Sequence, residues 1–219
     1  MSLFITIEGG EGAGKTTLID KLTSVLSTHG YEIVKTREPG GSRLSNQIRQ
    51  WLLNRDADLP IGYKAELLLF LSARAQHLEE LIKPALSQHK AVICDRFNDS
   101  TIVYQGLGRG LGMGYVKKLC ELVSEGVKPN LTLFLDVDPH VGLMRTRQAS
   151  KENARPGEVD RIEAERIDFH ERVRKGFLTL ANQEPERIFV IDANQTEDAV
   201  FRQAKKILEE KLSQFPLKS

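Results

Sequence analysis

An α/β fold, built on a five-stranded parallel sheet with helices on both faces, is predicted by three features of the sequence. Five short apolar runs alternate with segments whose apolar residues recur every three or four positions, and strand–helix alternation of this kind builds a parallel sheet covered on both sides. Between the first run and the first helical segment lies a turn with four glycines in six positions, 9 to 14. Residues suited to ligand binding then recur at the carboxyl ends of the runs, at Gly9, Arg37, Asp95 and Asp136, where open sheets bind their ligands.

The first strand, "LFITIE" (3–8), buries Ile5 and Ile7, and Leu18 to His29 follows as a helix. After the second strand (32–36) come helices over Ser45 to Asn54 and Lys64 to Gln88, then the third strand, "AVICD" (91–95). The stretch "GLGRGLGMG" (106–114) has five glycines in nine residues and is expected to be a flexible connector before the helix Gly114 to Ser124. The fourth strand is "LTLFLD" (131–136). Beyond it the helix His140 to Gln148 gives way to a polar, basic stretch around Pro156 and Gly157, so that residues of about 146–160 read as a mobile lid. The helix Glu163 to Asn182, the fifth strand (187–192) and the helix Thr196 to Gln214 complete a single domain over 1–219, without internal repeats.

Of 219 residues 40% are hydrophobic, enough for one substantial core. Lys+Arg 31 against Asp+Glu 30 leaves a net charge of +1, so no global field draws the chain to nucleic acid or to an acidic membrane. Any affinity for phosphate must be local. The apolar runs fall far short of the roughly 20 residues that span a bilayer. Cys94 and Cys120 sit in apolar surroundings, which suits reduced core thiols, and a cytoplasmic location is expected.

The glycine-rich turn has a sharper reading. Gly9, Gly12 and Gly14 with Lys15 and Thr16 fit G-x-x-x-x-G-K-[ST], the phosphate-binding loop, placed as required between a strand and a helix. Its backbone must aim successive N–H groups inward, and the following helix adds its positive end. Gly9, Gly10, Glu11, Gly12, Ala13, Gly14, Lys15, Thr16 and Thr17 are therefore expected to cradle the phosphates of ATP. Lys15 reaches the β- and γ-phosphates, and the Thr16 hydroxyl binds Mg²⁺. This is the loop of the P-loop NTPase fold. Three reaction classes use it: a GTPase, excluded in practice by the lack of an N-K-x-D selector, an ATPase, for which "LTLFLDVD" could supply an acidic pair, and a kinase for a small acceptor. A kinase needs a second anion site, and Arg37, Arg74 and Arg96 supply the fork-shaped cations for it.

The segments "TIEGGEGAGKTT", "TREPGG", "LLLFLSARAQH", "DRF", "STIVYQG", "PNLTLFLDV" and "DRIE" occur in an order and spacing that resemble the bacterial thymidylate kinases, over residues 3 to about 192. The resemblance implies conversion of dTMP to dTDP with ATP and Mg²⁺, a step towards dTTP for DNA synthesis. A kinase of another nucleoside monophosphate, or an ATPase, is the alternative. By similarity, Phe70 stacks on thymine and Arg74, one helical turn later on the same face, bonds a base carbonyl. On periodicity alone Phe70 is a core residue. Thr101 and Gln105 resemble base-pocket residues, Ser100 the residue beside the acceptor phosphate, and Arg96, with Arg37, the phosphate clamp. Tyr104 resembles the residue that fills the space of a ribose 2′-OH, Glu11 the acid that faces the 3′-OH, and Asp95 the acid beside Mg²⁺. Arg145 resembles the residue that stacks on adenine. Some relatives carry an arginine at the position of Gly12, so here the lid must supply the catalytic charge, from among Arg145, Arg147, Lys151, Arg155 and Arg161. Arg155 is the expected catalytic residue, with Lys151 and Arg147 as alternatives. The resemblance also implies a homodimer packed through long helices, which the apolar stretch Leu67 to Leu81 suits.

Overall fold

The computed structural model describes residues 2–54, 60–152 and 160–214. All five expected strands are present: β1 (Leu3–Gly9), β2 (Ile33–Arg37), β3 (Ala91–Asp95), β4 (Leu131–Asp136) and β5 (Ile188–Asp192). They form one sheet in the order β2-β3-β1-β4-β5, with every pairing parallel. β1 is central, and all its residues are buried, as a strand covered on both faces requires. Ile7 of β1 lies opposite Asp95 of β3, which in turn lies opposite Arg37 of β2. That register brings Gly9, Arg37 and Asp95 to one edge of the sheet.

Strand periodicity sorts the core into two faces. Leu3, Ile5 and Ile7 join α1 (Lys15–Thr28) and α9 (Glu197–Leu212), whose Leu18, Leu22 and Leu208 are buried with them. Phe4 points the other way and meets Phe97 edge-on at 5.0 Å. On that second face, α3 (Tyr63–His77), α6 (Met113–Ser124) and α8 (Ile167–Gln183) enclose a cluster around Phe134, which stacks on Phe177 at 4.8 Å. α2 (Arg43–Leu53) packs on α3 through Ile48, Leu52 and Ala73, and its first turn is capped by Ser42, which accepts from the Ser45 N–H.

Two expectations are corrected. The helix expected over Lys64 to Gln88 is interrupted: α3 passes through a π-helical turn, Leu78–Ile82, before α4 (Lys83–Ser87). Pro84 opens α4 and has no N–H to donate to the carbonyl four residues back, so the widened turn precedes it. The expected flexible connector is also largely absent. α5 (Asn98–Thr101) continues into a π-helical segment, Ile102–Gly108, in which Gly106 and Gly108 are buried. A Cβ on Gly108 would lie 2.7 Å from the Phe169 ring, and one on Gly106 2.9 Å from the backbone of Met113. These glycines permit close packing. Only Gly110 and Gly112, at φ 74° and 94°, serve as a turn.

Of the stretch Leu67 to Leu81, the side chains of Leu67, Leu71 and Leu78 are spent inside the subunit, and Leu68 is exposed. Cys94 and Cys120 are buried free thiols, and burial raises the pKa of both. No helix among the described residues is long and apolar enough to cross a membrane.

Candidate functional site

β1 ends at Gly9 and α1 begins at Lys15, and the loop between them requires glycine. Gly12 and Gly14 have φ values of 64° and 87°, the left-handed region that a Cβ makes costly. Gly12 meets a second constraint, since a Cβ there would clash with the backbone carbonyl of Gly142 in α7 (Pro139–Glu152). A Cβ on Gly142 would clash in turn with the carbonyl of Glu11. The two backbones touch with no side chain between them. Lys15 folds over the loop, its Nζ donating to the carbonyls of Gly10 at 2.8 Å and Gly9 at 3.3 Å. Burial, with Arg96 nearby, lowers its pKa.

A cleft of about 600 Å³ opens in front of this loop. Glu11, Gly12, Ala13, Gly14, Lys15, Thr16 and Thr17 line one end, with Arg145. Arg37, Phe70, Arg74, Asp95, Arg96, Ser100, Thr101, Tyr104 and Gln105 line the remainder. The sequence-predicted residues thus converge, except that Gly9 and Gly10 do not line the cleft and Gly10 borders a small cavity elsewhere. Arg155 and the side chain of Lys151 lie outside the described residues, and Arg147 is exposed on α7. A second cavity, of about 380 Å³, lies between the loop and the start of α9 and shares Arg145, whose Nη1 donates to the Ala193 carbonyl at 2.9 Å.

Arg96 is the centre of the cleft. It has φ 68°, unusual for a side-chain-bearing residue, and both neighbours of that bend are tied down. The Arg96 N–H donates to Ile7 at 3.0 Å, and Glu8 accepts from the Phe97 N–H at 2.8 Å. Its guanidinium donates through Nη1 to Ser100 Oγ at 3.2 Å and to the Tyr104 hydroxyl at 3.1 Å, and through Nη2 to Glu11 at 2.7 Å. Burial pushes the Glu11 pKa up, but Arg96 and Lys15 outweigh it and the net shift is downward. Tyr104 shifts upward through burial, only partly opposed by Arg96, and remains a phenol.

Buried acidic residues outside the expected set hold these groups. Glu8, wholly buried in β1, also accepts from Ser100 Oγ; burial, reinforced by Asp99, raises its pKa to about 8. Glu38, from "TREPGG", accepts from Arg74 Nε at 2.7 Å and lies 3.0 Å from His77 Nδ1. Arg74 also donates to Thr101 Oγ1 at 2.9 Å and lies 3.6 Å from Cys120 Sγ, so that two of its five N–H groups have no partner among the described residues. Glu66 of α3 accepts from Gln105, Arg109 and Arg161. Arg161 is therefore not a mobile lid cation as expected: it is anchored to Glu66 and to the Leu52 carbonyl. Arg49, also outside the expected set, lines the cleft, and burial, with Arg37 adding to it, lowers its pKa to about 10. The signal that marks Glu66 in the sequence is a lone acid within an apolar helical run.

Asp136, at the end of β4, does not reach the cleft. Arg174 grips it with two hydrogen bonds of 2.6 and 2.9 Å. Asp95 lines the cleft, and its buried Oδ1 has no hydrogen-bond partner among the described residues.

Comparison with known proteins agrees with this geometry. The family model described as thymidylate kinase matches residues 7–204. A thymidylate kinase of Protochlamydia amoebophila is 54% identical over 216 residues, covering 99% of this chain and 96% of the relative. One of Syntrophotalea carbinolica is 50% identical, covering 91% of this chain and 92% of that one. The crystal structure of thymidylate kinase from Ehrlichia chaffeensis superposes with a TM-score of 0.74 at 36% identity, over 94% of this chain and 98% of that one.

Proposed function

Because this chain belongs to the thymidylate kinase family, we infer that it phosphorylates dTMP to dTDP, with ATP as donor. The observation that carries the reading is one cleft with a phosphate loop at one end and Arg37, Arg49 and Arg96 along it, enough charge for two facing phosphates. An oxygen of the acceptor phosphate attacks the γ-phosphorus, the bond from that phosphorus to the bridging oxygen breaks, and ADP leaves. The acceptor is already anionic at neutral pH, so positioning and charge neutralisation carry the rate and no general base is required.

The residues take the following roles in this reading. Lys15 and the loop from Gly9 to Thr17 hold the donor phosphates, and the cavity beside Arg145 receives adenosine. Arg96 and Arg37 clamp the acceptor phosphate, with Arg49 added to them and Ser100 beside them. Phe70, Arg74, Thr101 and Gln105 take the base, Glu11 the 3′-OH, and Tyr104 excludes a 2′-OH. Thr16 and Asp95 would hold Mg²⁺: the buried Asp95 Oδ1, without a partner among the described residues, suits a hard cation that takes oxygen ligands. When bound there, the ion would supply positive charge against the charge that develops on the transferring group. With glycine at position 12, the lid provides the remaining cation, and Arg155 is the choice for it.

ADP release measured with ATP, Mg²⁺ and dTMP, dUMP, dGMP, dCMP or UMP in turn tests the reading, with dTMP expected to be fastest. Equal release without any acceptor would favour the ATPase alternative, against which Asp136 already stands paired to Arg174. Arg155→Ala is expected to lower kcat by roughly 10²-fold or more with little change in KM for dTMP, with Lys151→Ala and Arg147→Ala as comparisons. A cytoplasmic homodimer completes the proposal. The buried free thiols support the location, and exposed Leu44, Leu68 and Leu122, on the adjoining helices α2, α3 and α6, supply an apolar surface for a second copy. Light scattering gives the mass that decides it.

A further inference from the structure

We propose that Glu66 is a specificity-determining positioning residue: it fixes the Gln105 amide so that the cleft offers a nucleobase an acceptor, selecting a base with a ring N–H over one with a bare ring nitrogen. The proposal rests on the dTMP kinase reading and deepens it. Glu66 is wholly buried on α3, one helical turn before Phe70. Its Oε1 accepts from Gln105 Nε2 at 2.8 Å and from Arg109 Nε at 3.1 Å, and its Oε2 accepts from Arg161 Nη2. With an arginine on each oxygen, the carboxylate meets Gln105 as an acceptor only.

The two ends of a glutamine amide have nearly the same shape, and a turn about its last torsion exchanges donor for acceptor at little cost. An unsupported glutamine would therefore read a base ambiguously. Here the reversed amide would press its oxygen against the carboxylate in a site closed to water, so one orientation is excluded. Gln105 is 1% exposed and lines the cleft, and its Oε1 has no protein partner among the described residues. The carbonyl is the end left for a ligand. Thymine and uracil present a donor at ring N3; cytosine presents a bare nitrogen. Arg109 is itself held in place, its guanidinium over the rings of Tyr63 and Phe169 at 4.9 and 4.8 Å and its Nη1 donating to Glu165.

The test compares dTMP with 5-methyl-dCMP, which carries the same methyl group on a base that lacks the N3 proton, in the native enzyme and in Glu66→Gln. An amide at position 66 can give or accept, so both orientations of Gln105 open. The ratio of kcat/KM for dTMP over 5-methyl-dCMP is expected to fall about tenfold or more, mostly through KM, with KM for ATP unchanged. A folded Glu66→Gln enzyme that keeps the native ratio overturns the proposal. Should that variant not fold, side-chain amide exchange in native protein labelled with ¹⁵N-glutamine decides, with Gln105 assigned by Gln105→Met. Slow exchange that persists when dTMP is added supports a lock on Glu66, and exchange as fast as that of exposed glutamines overturns it. If the native enzyme does not turn over dTMP at all, the kinase reading falls and base selection with it, whereas the exchange result reports on the lock alone.

Discussion

The two ends of the cleft are built from different materials. At the phosphate-loop end the ligand-facing groups are mainly backbone, shaped by glycines at positive φ and by one lysine that spans the loop. At the acceptor end they are side chains, and three of them are held by a buried acid from a distant part of the chain: Ser100 by Glu8, Arg74 by Glu38, Gln105 by Glu66. A backbone site needs only the right local residues. A side-chain site needs a second set of residues to hold the first, and removing one of those strands a partner in a buried place.

The largest effect that would break this contrast belongs to the second end. Glu38→Ala leaves Arg74, 1% exposed, without its carboxylate, and is expected to cost about 3–5 kcal/mol of stability in denaturant unfolding. A loss below about 1 kcal/mol would mean that the network is not what holds the acceptor end. Lys15→Ala and Arg96→Ala then separate the two ends kinetically. The first is expected to lower kcat by about 10²- to 10³-fold while calorimetry still detects dTMP binding. The second is expected to remove roughly 2–4 kcal/mol from kcat/KM for dTMP with the KM for ATP nearly unchanged, and equal effects on both substrates would merge the ends into one site.

A pH series sharpens the comparison further. Glu8 has its pKa raised from 4.5 to about 8 in the folded protein, by burial first and then by Asp99. The folded state therefore binds this proton more tightly than the unfolded chain does. The resulting stability is complete below pH 4.5 and is lost as pH rises through about 8, by on the order of 2 kcal/mol between pH 6 and 9. Melting temperatures of Glu8→Gln should lack that decline. Glu163 shows the same sign for the same reason, burial with Asp160 beside it, and its pKa is raised to about 7. It is partly exposed and screened, so Glu163→Gln should change the slope between pH 5 and 8 by less than about 1 kcal/mol.

The same contrast explains what the sequence could reveal. Strands were legible because a run such as "AVICD" has only one way to be buried in an α/β protein, and the phosphate loop because its constraints are local. That Arg96 and Arg37 line the cleft was legible from their place at strand ends. Glu8, Glu38 and Glu66 were not, because each partner lies tens of residues away and no spacing rule connects Glu8 with Ser100. Arg161 was misread for the same reason: it sits beside a polar stretch, yet its carboxylate is on α3. Gly106 and Gly108 misled because glycine signals both a free backbone and a crowded one, and only the position of Phe169 and Met113 tells them apart. Phe70 is half-buried against two core clusters and also lines the cleft, so periodicity and resemblance each described one side of it.

The backbone contact between Gly12 and Gly142 ties together the substitutions the two positions can take. Neither residue can gain a side chain while α7 remains seated on the loop. An arginine at position 12 is therefore not reached by a single substitution that leaves the rest in place, since its Cβ would first have to unseat α7 from the loop. Positions 12 and 142, 130 residues apart by the numbering, are constrained together by that one contact. Chimaeras that exchange the loop without α7, or α7 without the loop, are expected to keep only half of that contact.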